Sequence, residues 1–460
     1  MVRVFSHWVP ANSLFQIAFD LVLLCLALVF AVFWVERGDL RGAAAVFPYA
    51  LLLALPLVAV NILFGVYQRD AARSVFRTPT LVMLCFVVAV PMAYGMFSPM
   101  PRPAAWRDEM ALALLLTLGV MAAIRGQAFG KGVAPLLARR VLVLGTGAEA
   151  AVVERSLTRL GPHVRVVGFY PVRSDAEIRV DRDRILTDGD SLPVAARRLE
   201  AGEIVVAVHD RRGDALPLPE LLDCRLAGMR VMDLSSHFEQ ALGQVRLDSL
   251  RASWLIFGDG FRQGWVRRTV KRLSDLVAAT ILLGVFWPVM LLSAILIVLE
   301  SGFPVLYRQE RVGLGGRLFH VIKFRSMRID AEHDGKPRWA TGDDQRVTRV
   351  GRVLRKLRID ELPQLYNVLR GDMSLCGPRP ERPYFVTHLT REIPFYAARH
   401  SVKPGVTGWA QVRYPYGDSV DDAMQKLQYD LYYVKNHTLF LDAVILFKTI
   451  GVVLTGAGAR

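Results

Sequence analysis

Residues 356–380 read KLRIDELPQLYNVLRGDMSLCGPRP. An acid pair, Asp360 and Glu361, opens the apolar pattern of a helix, and Pro363 is tolerated in a first helical turn. The pattern predicts that both carboxylates lie at a helix N-terminus, where the dipole favours their ionised forms. Because acids at such a position are often only helix caps, their chemistry has to be judged from their surroundings.

Basic residues surround the acid pair. Residues 301–360 hold 14 Lys or Arg against 7 Asp or Glu. Several recur at three- and four-residue spacing and are predicted to share one helix face; these are Arg349, Arg352, Arg355 and Lys356. The simplest interpretation of most of them is a face that is solvated or touches anionic headgroups.

A proline-bound arginine follows the acid pair. Pro378 and Pro380 stiffen the loop that holds Arg379, and the planar guanidinium of an arginine suits a diphosphate or a base edge. A rigid structural turn is the alternative interpretation of this loop.

These residue types suit phosphoryl transfer. That reaction needs an in-line nucleophile, a divalent cation on the phosphate oxygens, and cations over the developing charge. A carboxylate can attack, forming an acyl phosphate, or hold the metal. Because adjacent helical side chains diverge by about 100°, Asp360 and Glu361 are predicted to differ in role: one attacks, and the other holds metal or takes a proton.

The composition predicts membrane segments. The 460 residues are 53% hydrophobic with a net charge of +15 and a mean hydropathy of +0.31, too apolar for an ordinary soluble protein. The charge indicates anionic partners, and beside apolar spans these are expected to be lipid phosphates and a phosphorylated substrate rather than nucleic acid. The four cysteines are scattered, which argues against a zinc site. No signal peptide is predicted.

Four apolar runs, at about 14–35, 43–67, 78–97 and 110–124, are predicted to form a transmembrane domain over residues 1–130. Basic residues follow the second and fourth runs, whereas the other two loops are balanced in charge. By the positive-inside rule, both ends of this domain are predicted to be cytoplasmic. A buried helical bundle in a soluble protein is the alternative.

Residues 138–255 are predicted to form a Rossmann-like parallel α/β domain. Strands are expected at 141–144 and about 164–169, 204–208 and 230–233, with a helix from about 149 to 160. The turn from Gly145 to Ala150 is similar to a dinucleotide-binding fingerprint. However, the second strand ends without the acid that would hold a ribose. The turn therefore either binds a nucleotide or serves only tight packing.

Residues 276–299 carry no charge, which by default predicts a fifth transmembrane helix. Basic residues flank both ends, whereas a crossing helix should be basic on one side only. Crossing would also carry residues 300–460 outside, away from any nucleotide-activated substrate. Pro288 lies in the middle of the segment and can kink a helix. We therefore predict a kinked, re-entrant helix over about 271–299 that enters and leaves the same leaflet.

Residues 265–460 carry a set of motifs in a fixed order. They are the apolar helix with Pro288, YRQERVG at 307–313, KFRSM at 323–327, DELPQ at 360–364, GDMSL at 371–375, GPRP at 377–380 and KPGVTGW at 403–409. Together they resemble the bacterial monotopic sugar transferases, the polyprenyl-phosphate hexose-1-phosphate phosphotransferases that initiate exopolysaccharide or O-antigen assembly. Residues 1–255 look like the N-terminal part of the long members of that family.

The resemblance implies roles for the site residues. Asp360 would be the nucleophile and a Mg²⁺ ligand, and Glu361 its partner. Cationic side chains would steady the diphosphate and nucleotide, and the loop prolines complete the substrate-binding set. These candidates are Lys323 and Arg325, grouped with the catalytic acids, and Arg355, Arg358, Pro378, Arg379 and Pro380.

The resemblance also implies the architecture and the reaction. The expected fold is α/β plus membrane helices: four transmembrane helices, the Rossmann-like domain, and a mainly α-helical monotopic catalytic domain at 265–460. The expected reaction moves a sugar 1-phosphate from a UDP-sugar to undecaprenyl phosphate through an aspartyl-phosphosugar, releasing UMP. It would take place on the cytoplasmic face of the bacterial inner membrane.

Two other functions compete with this one. A membrane-bound nucleotide-sugar dehydratase or epimerase would need a Tyr-x-x-x-Lys pair, and none of the 13 tyrosines has a lysine four positions on. A non-catalytic polysaccharide-export scaffold would have no use for an acid pair among aimed arginines. The sequence leaves open which sugar is transferred, whether the Rossmann-like domain binds a ligand, and whether the protein is a homodimer.

Overall fold

A computed structural model of the chain describes residues 2–4, 7–9, 11–35, 54–55, 58, 139–247, 264–328 and 346–455, with short gaps at 160–163, 173–176, 188, 209–215, 415–416 and 418. The chain divides into two compact units. Apart from a few N-terminal residues, one runs to Ala241 and the other from Leu242 to Arg460.

Short strands and one apolar helix lie near the N-terminus: β1 Val2–Val4, β2 His7–Val9 and α1 Ala11–Val35. Helix α1 coincides with the first apolar run predicted from the sequence. The other three predicted spans, at about 43–67, 78–97 and 110–124, lie outside the described residues apart from the isolated positions 54, 55 and 58.

A parallel four-stranded sheet forms the centre of the first unit. Its strands are β3 Arg139–Leu144, β4 Val164–Tyr170, β5 Glu203–Val206 and β6 Arg230–Asp233, and their order across the sheet is β4-β3-β5-β6. The helices between them are α2 Ala148–Arg159, α3 Leu192–Arg198, α4 Leu218–Leu226 and α5 Leu234–Leu242. The structure thus confirms the parallel α/β arrangement. Central strand β3 is fully buried from Val141 to Leu144, which explains its continuous apolar run.

The glycine turn after β3 is closely packed. Gly145 has a φ of +117°, and a Cβ there would lie 2.5 Å from the carbonyl oxygen of Ala207. Its amide donates to the carbonyl of Tyr170, while the carbonyl of Thr146 accepts from the amide of Arg179. Glycine at this position is therefore explained by chain packing alone, without a bound nucleotide.

The second unit begins with a 37-residue helix, α6, which spans Trp265–Ser301. A β-hairpin follows it, and short helices and a small parallel strand pair complete the unit. These elements are β7 Leu306–Val312, β8 Leu318–Phe324, α7 Arg349–Lys356, α8 Gln364–Arg370, β9 Ser374–Cys376, α9 Pro383–Glu392, β10 Gly405–Thr407, α10 Trp409–Arg413, α11 Val420–Asn436 and α12 Leu439–Thr455.

Helix α6 is continuous through Pro288. Among the described residues it is the helix long and apolar enough to cross a membrane, and only 11% of its most apolar window is buried. The half before Pro288 packs Ala279 against Leu365 and Val368 of α8. The half after it packs Ile297 against Phe324 and Leu354. Both halves thus contact the same unit on one side and leave apolar side chains exposed on the other.

Both ends of α6 are hydrogen-bonded to neighbouring helices. Near its start, Arg272 donates to the carbonyls of Val368 and Leu369 at 2.5 and 2.7 Å, where the last carbonyls of α8 lack helical partners. At its end, the Glu300 carboxylate accepts from the amides of Arg349 and Val350 at 2.7 and 3.0 Å. The negative charge at the N-terminus of α7 is favourable to the helix dipole.

A buried ion network connects the start of α6 to α11 and α12. The ammonium of Lys271 lies 3.2 Å from Asp275 and 2.9 Å from Asp442. Tyr433 donates to Asp442 at 2.7 Å, and the amide of Leu375 donates to Asp275. Because a buried charge without a partner costs several kcal/mol, these contacts fix the position of the helix start.

Two of the sequence motifs pair backbone to backbone. Strands β9 and β10 are parallel, with Ser374 opposite Gly405 and Cys376 opposite Thr407. A Cβ on Gly405 would lie 2.1 Å from the amide nitrogen of Gly377. This close approach explains why the GPRP and KPGVTGW motifs both carry glycine where they meet.

The largest core of the second unit surrounds Trp409 and Tyr432, whose rings stack at 5.9 Å. The indole of Trp409 donates to the carbonyl of Gly243 at 2.9 Å. Val245 is buried in the same core. Residues 242–247, which the sequence analysis placed in the α/β domain, are therefore packed with the C-terminal unit.

Gly351 provides a test of the packing between α7 and the segment after β8. A Cβ at Gly351 would lie 2.0 Å from the carbonyl oxygen of Ser326, whereas a Cβ at Gly284 in α6 meets no atom within 4 Å. We expect Gly351→Ala to lower the free energy of unfolding by about 3 kcal/mol or more through overpacking. The matched variant Gly284→Ala should leave it unchanged or raise it. Thermal unfolding of the detergent-solubilised chain measures both, and equal midpoints would contradict this packing.

Candidate active site

The acid pair lies in a 3₁₀ turn between two helices. The turn spans Ile359–Glu361, and α8 starts at Gln364 with Pro363 as its N-cap. Arg358, just before it, adopts the left-handed conformation with a φ of +54°. The carboxylates thus lie in the turn before the helix instead of within its first turn, because the chain reverses direction at Arg358. Non-glycine residues in this conformation are uncommon and are often found at functional sites.

The helix that follows the acid pair is fixed to hairpin strand β8. The buried side chain of Asn367 accepts from the amide of Ile322 at 3.0 Å and donates to the carbonyl of His320 at 2.8 Å. These two bonds set the register between α8 and β8. They place Lys323, the next residue of the strand, beside the acid pair.

Glu361 is buried among three cations. Its Oε1 accepts from Lys323 Nζ at 3.0 Å and from Arg379 Nη2 at 2.7 Å, while Arg358 Nη1 lies 3.6 Å from Oε2. Burial alone would raise the pKa of Glu361, but Arg379, Lys323 and Arg358 together hold that pKa well below its usual range. Glu361 is therefore ionised, and its Oε1 is bonded to two of the three cations. We call Lys323, Arg358 and Arg379 the cation cluster.

Asp360 differs from Glu361 in its exposure, its bonding and the direction of its pKa shift. Its side chain is half-buried, and no hydrogen bond or ion pair joins its carboxyl group to any other described residue. Burial and the negative charge of Glu361 raise the pKa of Asp360 to about 6, against the opposing effect of Lys323, Arg379 and Arg355. The result is an ionisable carboxylate with free lone pairs, surrounded by positive charge.

Two buried contacts position the loop that carries Arg379. Its prolines, Pro378 and Pro380, are both buried. Arg311 donates to the carbonyl of Pro380 at 3.0 Å, and Arg399 donates to the carbonyl of Arg379 at 2.9 Å. Two arginines from outside the loop thus hold its backbone carbonyls, and the stiffening role of the prolines stays a prediction.

Sequence reasoning missed the positioning residues of this loop. Arg311 stands in a quoted motif but received no role. Arg399 forms a buried ion pair with Asp430 at 2.7 Å, and nothing local in the sequence signals a pair 31 residues apart. Asn367 was likewise hidden in the apolar pattern of its helix.

Arg325 is placed differently from the other candidates. It is buried and donates from Nη2 to the carbonyls of Ser301 and Gly302, at the C-terminal end of α6. Lys323, Arg355, Arg358 and Arg379 therefore surround the acid pair, whereas Arg325 interacts with the end of the apolar helix. Cationic side chains at helix C-termini stabilise the terminal carbonyls.

The site thus combines an Asp360 carboxyl group that no described residue bonds, a set of surrounding cations and, in the same unit, a helix with a largely exposed apolar face. The profile of the family described as bacterial sugar transferase matches residues 266–456. The chain also aligns with a protein of Xanthomonas campestris pv. campestris named UDP-glucose:undecaprenyl-phosphate glucose-1-phosphate transferase. The two are 30% identical over 88% of this chain and 91% of that relative. The chain therefore belongs to the bacterial sugar transferase family and is a transferase.

Two further relatives share a smaller part of their length. One, from Aeromonas hydrophila, is named UDP-N-acetylgalactosamine-undecaprenyl-phosphate N-acetylgalactosaminephosphotransferase and is 48% identical over 52% of this chain and 56% of its own. The other, from Komagataeibacter xylinus, is named undecaprenyl-phosphate glucose phosphotransferase and is 35% identical over 68% of this chain and 59% of its own. The chain thus spans little more than half of these two relatives.

The contrast between the two acids predicts opposite effects on stability. At pH 7 the ionised Asp360 opposes folding, because its pKa is about 6 in the folded chain and 3.8 in the unfolded one. We expect Asp360→Asn to raise the free energy of unfolding by about 1–2 kcal/mol. We expect Glu361→Gln to lower it by about 3 kcal/mol, because it leaves buried cations without their partner.

Chemical unfolding in detergent at pH 7 and pH 4 measures these effects. The gain from Asp360→Asn should shrink toward pH 4, where the carboxyl group is protonated in the folded chain and close to half protonated in the unfolded one. Equal effects of the two substitutions at pH 7 would contradict the assigned environments.

Proposed function

We propose that the chain transfers a sugar 1-phosphate from a UDP-sugar to undecaprenyl phosphate, through a covalent aspartyl-phosphosugar on Asp360, with release of UMP. This reaction would initiate the assembly of an exopolysaccharide or O-antigen. The names of the three relatives support the substrate classes, and they include both glucose and N-acetylgalactosamine as the sugar. The observation that carries the proposal is the Asp360 carboxylate, which no described residue bonds, beside a Glu361 whose Oε1 accepts from Lys323 and Arg379.

The reaction has two displacement steps. In the first, an oxygen of Asp360 attacks the phosphorus attached to the sugar, the bond from that phosphorus to the bridging oxygen breaks, and UMP leaves with that oxygen. In the second, a phosphate oxygen of undecaprenyl phosphate attacks the same phosphorus and the Asp360 carboxylate leaves. The product is an undecaprenyl diphosphate sugar. An ionised carboxylate is needed as nucleophile and is regenerated as leaving group.

The cations have separate tasks in this scheme. Lys323 and Arg379 would each use remaining donors on the diphosphate oxygens while Glu361 holds them in place. Arg355, whose charge acts on Asp360, would face the same phosphates. Preorganised cations of this kind stabilise charge that develops in the transition state without having to reorganise.

The donor set also fits Mg²⁺. Among the described residues no group of three or more His, Cys, Asp or Glu side chains is placed to hold a metal. Mg²⁺, however, commonly binds one or two carboxylates together with substrate phosphates. Both oxygens of Asp360 are unbonded among the described residues, whereas Oε1 of Glu361 already accepts from Lys323 and Arg379. When bound, the ion would neutralise charge on the phosphate oxygens.

We further propose that α6 is re-entrant and that the catalytic unit lies on the cytoplasmic face of the bacterial inner membrane. The two halves of α6 pack against one short segment, residues 349–370, in α8 and α7 respectively. That segment carries many charges, including Arg352, Lys356 and Arg358. If α6 crossed the bilayer, this charged segment would have to lie beside it within the ~30 Å hydrocarbon core. Placing these charges in hydrocarbon is strongly unfavourable.

Loss of the nucleophile is the first test. We expect Asp360→Asn to reduce nucleoside monophosphate release by about 10³-fold or more, with UDP-glucose and with UDP-N-acetylgalactosamine as donors. With donor labelled in the sugar-linked phosphate and no acceptor, wild-type protein should retain the label and Asp360→Asn should not. Asp372→Asn is the matched control, because Asp372 pairs with Arg370 outside the site. Retention of the phosphate label by Asp360→Asn protein would contradict the proposal. A nucleotide-sugar dehydratase would release no nucleoside monophosphate.

The pH profile is the second test. Because a protonated carboxyl group cannot attack, and the pKa of Asp360 is raised to about 6, kcat/KM should fall as the pH drops below about 6. Arg355 lowers that pKa, so Arg355→Gln should move the acidic limb to higher pH whatever it does to the rate. If the acidic limb of the Arg355→Gln profile lies at the same pH as that of the wild type, the assignment of Asp360 as the titrating group is contradicted.

Topology is the third test. We expect single cysteines at Arg268 and Leu314, exposed on either side of the apolar segment, to be protected together from an impermeant reagent applied to intact cells. A cysteine at Arg102, in the loop predicted to face outward, is the positive control. Labelling of Leu314→Cys but not Arg268→Cys would show that the helix crosses.

A further inference from the structure

Two cationic side chains meet at the C-terminal end of α8, away from the acid pair. Gly371 ends this helix in the left-handed conformation with a φ of +100°. A Cβ at Gly371 would lie 3.3 Å from Arg272 Nη2 and 3.8 Å from Lys403 Nζ. The two nitrogens thus converge on the same small space above the glycine.

Lys403 has no partner for its charge. Its side chain is half-buried, and no hydrogen bond or ion pair joins its ammonium to any other described residue. Burial and the neighbouring Arg272 lower the pKa of Lys403. Because like charges held together in a partly buried place repel each other, the arrangement is unfavourable until an anion lies between them.

The acids nearest to Lys403 are already engaged. Asp275 accepts from the ammonium of Lys271 and from the amide of Leu375. Asp372 pairs with Arg370 at 3.6 Å. Both carboxylates offset part of the positive charge, and both raise the pKa of Lys403, yet neither bonds to it. Among the described residues, no carboxylate is therefore bonded to the ammonium of Lys403.

The position of the pair in the chain identifies the kind of anion. Arg272 lies four residues before the uncharged stretch 276–299 of α6, which places it at the level where an embedded helix meets the headgroups. Leu273 and Val277, one and five positions further along the helix, are 61% and 52% exposed. The turns of α6 that carry Arg272 thus also present exposed apolar side chains, on another face, that could contact acyl chains.

We propose that Arg272 and Lys403 bind the phosphate group of a membrane phospholipid. The seven residues of α8 separate this site from the acid pair by about 10 Å, so a phosphate held here is out of reach of Asp360. The bound lipid would anchor the start of α6 and the KPGVTGW motif to the leaflet. Lys403 would therefore act in lipid binding and not in the transfer reaction.

Ligand-dependent thermal stability tests the site in the full chain. In a neutral detergent, added phosphatidylglycerol should raise the unfolding temperature of wild-type protein. Lys403→Gln should weaken the apparent lipid affinity about tenfold, since one charge-assisted hydrogen bond is lost. Arg268→Gln is the matched control, because Arg268 is an exposed cation one turn before Arg272. Without lipid, Lys403→Gln should unfold at or above the wild-type temperature, which excludes misfolding.

Two comparison ligands identify what is bound. Diacylglycerol lacks the phosphate and inorganic phosphate lacks the chains, so neither should match phosphatidylglycerol. An equal response of Lys403→Gln and wild type, or an equal effect of either comparison ligand, would overturn the proposal. Asp360→Asn should keep the full lipid response, so loss of turnover and loss of this site are distinguishable.

Discussion

The ion cluster at Glu361 is the interaction on which the rest of the catalytic unit depends. One buried carboxylate binds Lys323 from the hairpin, Arg358 from the turn and Arg379 from the proline loop. The hairpin and the turn also share an apolar cluster, which contains Phe324 and Ile359. Because a buried charge is tolerated only with its partners in place, Glu361 makes the correct mutual position of the elements a condition of folding. The same contacts leave Asp360 as the free acid.

Helix α6 is subject to a second constraint. Its outer face is apolar and exposed, so the helix cannot be held by burial on all sides. Instead, polar contacts hold its two ends: Arg272 and Lys271 at the start, Glu300 and Arg325 at the finish. Two of the helices that receive these contacts, α7 and α8, flank the turn that carries the acid pair. This turn is therefore connected through α7 and α8 to both ends of α6.

Sequence alone predicted the parts of this structure that rest on local rules. The strands and first helix of the α/β unit follow from apolar runs and a glycine turn, and the predicted ranges agree with β3–β6 and α2 within a few residues. The acid pair was identified as a candidate site from its residue types, and Arg379 from its position between two prolines. The pattern did not reveal that cations, and not a helix dipole, keep Glu361 ionised, because Lys323 lies 38 residues away. Nor did it separate Lys323 in β8 from Arg325, which follows the end of that strand, because Arg325 binds the C-terminal end of α6, 24 residues earlier in the chain.

The charge balance of the site explains why a metal ion belongs in the proposed reaction. The cation cluster carries three positive charges against one on Glu361, and this surplus opposes the rise in the pKa of Asp360. A bound diphosphate would offset the surplus, and its own negative charge would then favour protonation of the carboxyl group that has to attack it. Nucleophile and substrate are thus in electrostatic conflict once they meet. An additional cation that arrives with the donor phosphates would ease this conflict, and a Mg²⁺ ion held by Asp360 and the phosphates is the proposed candidate.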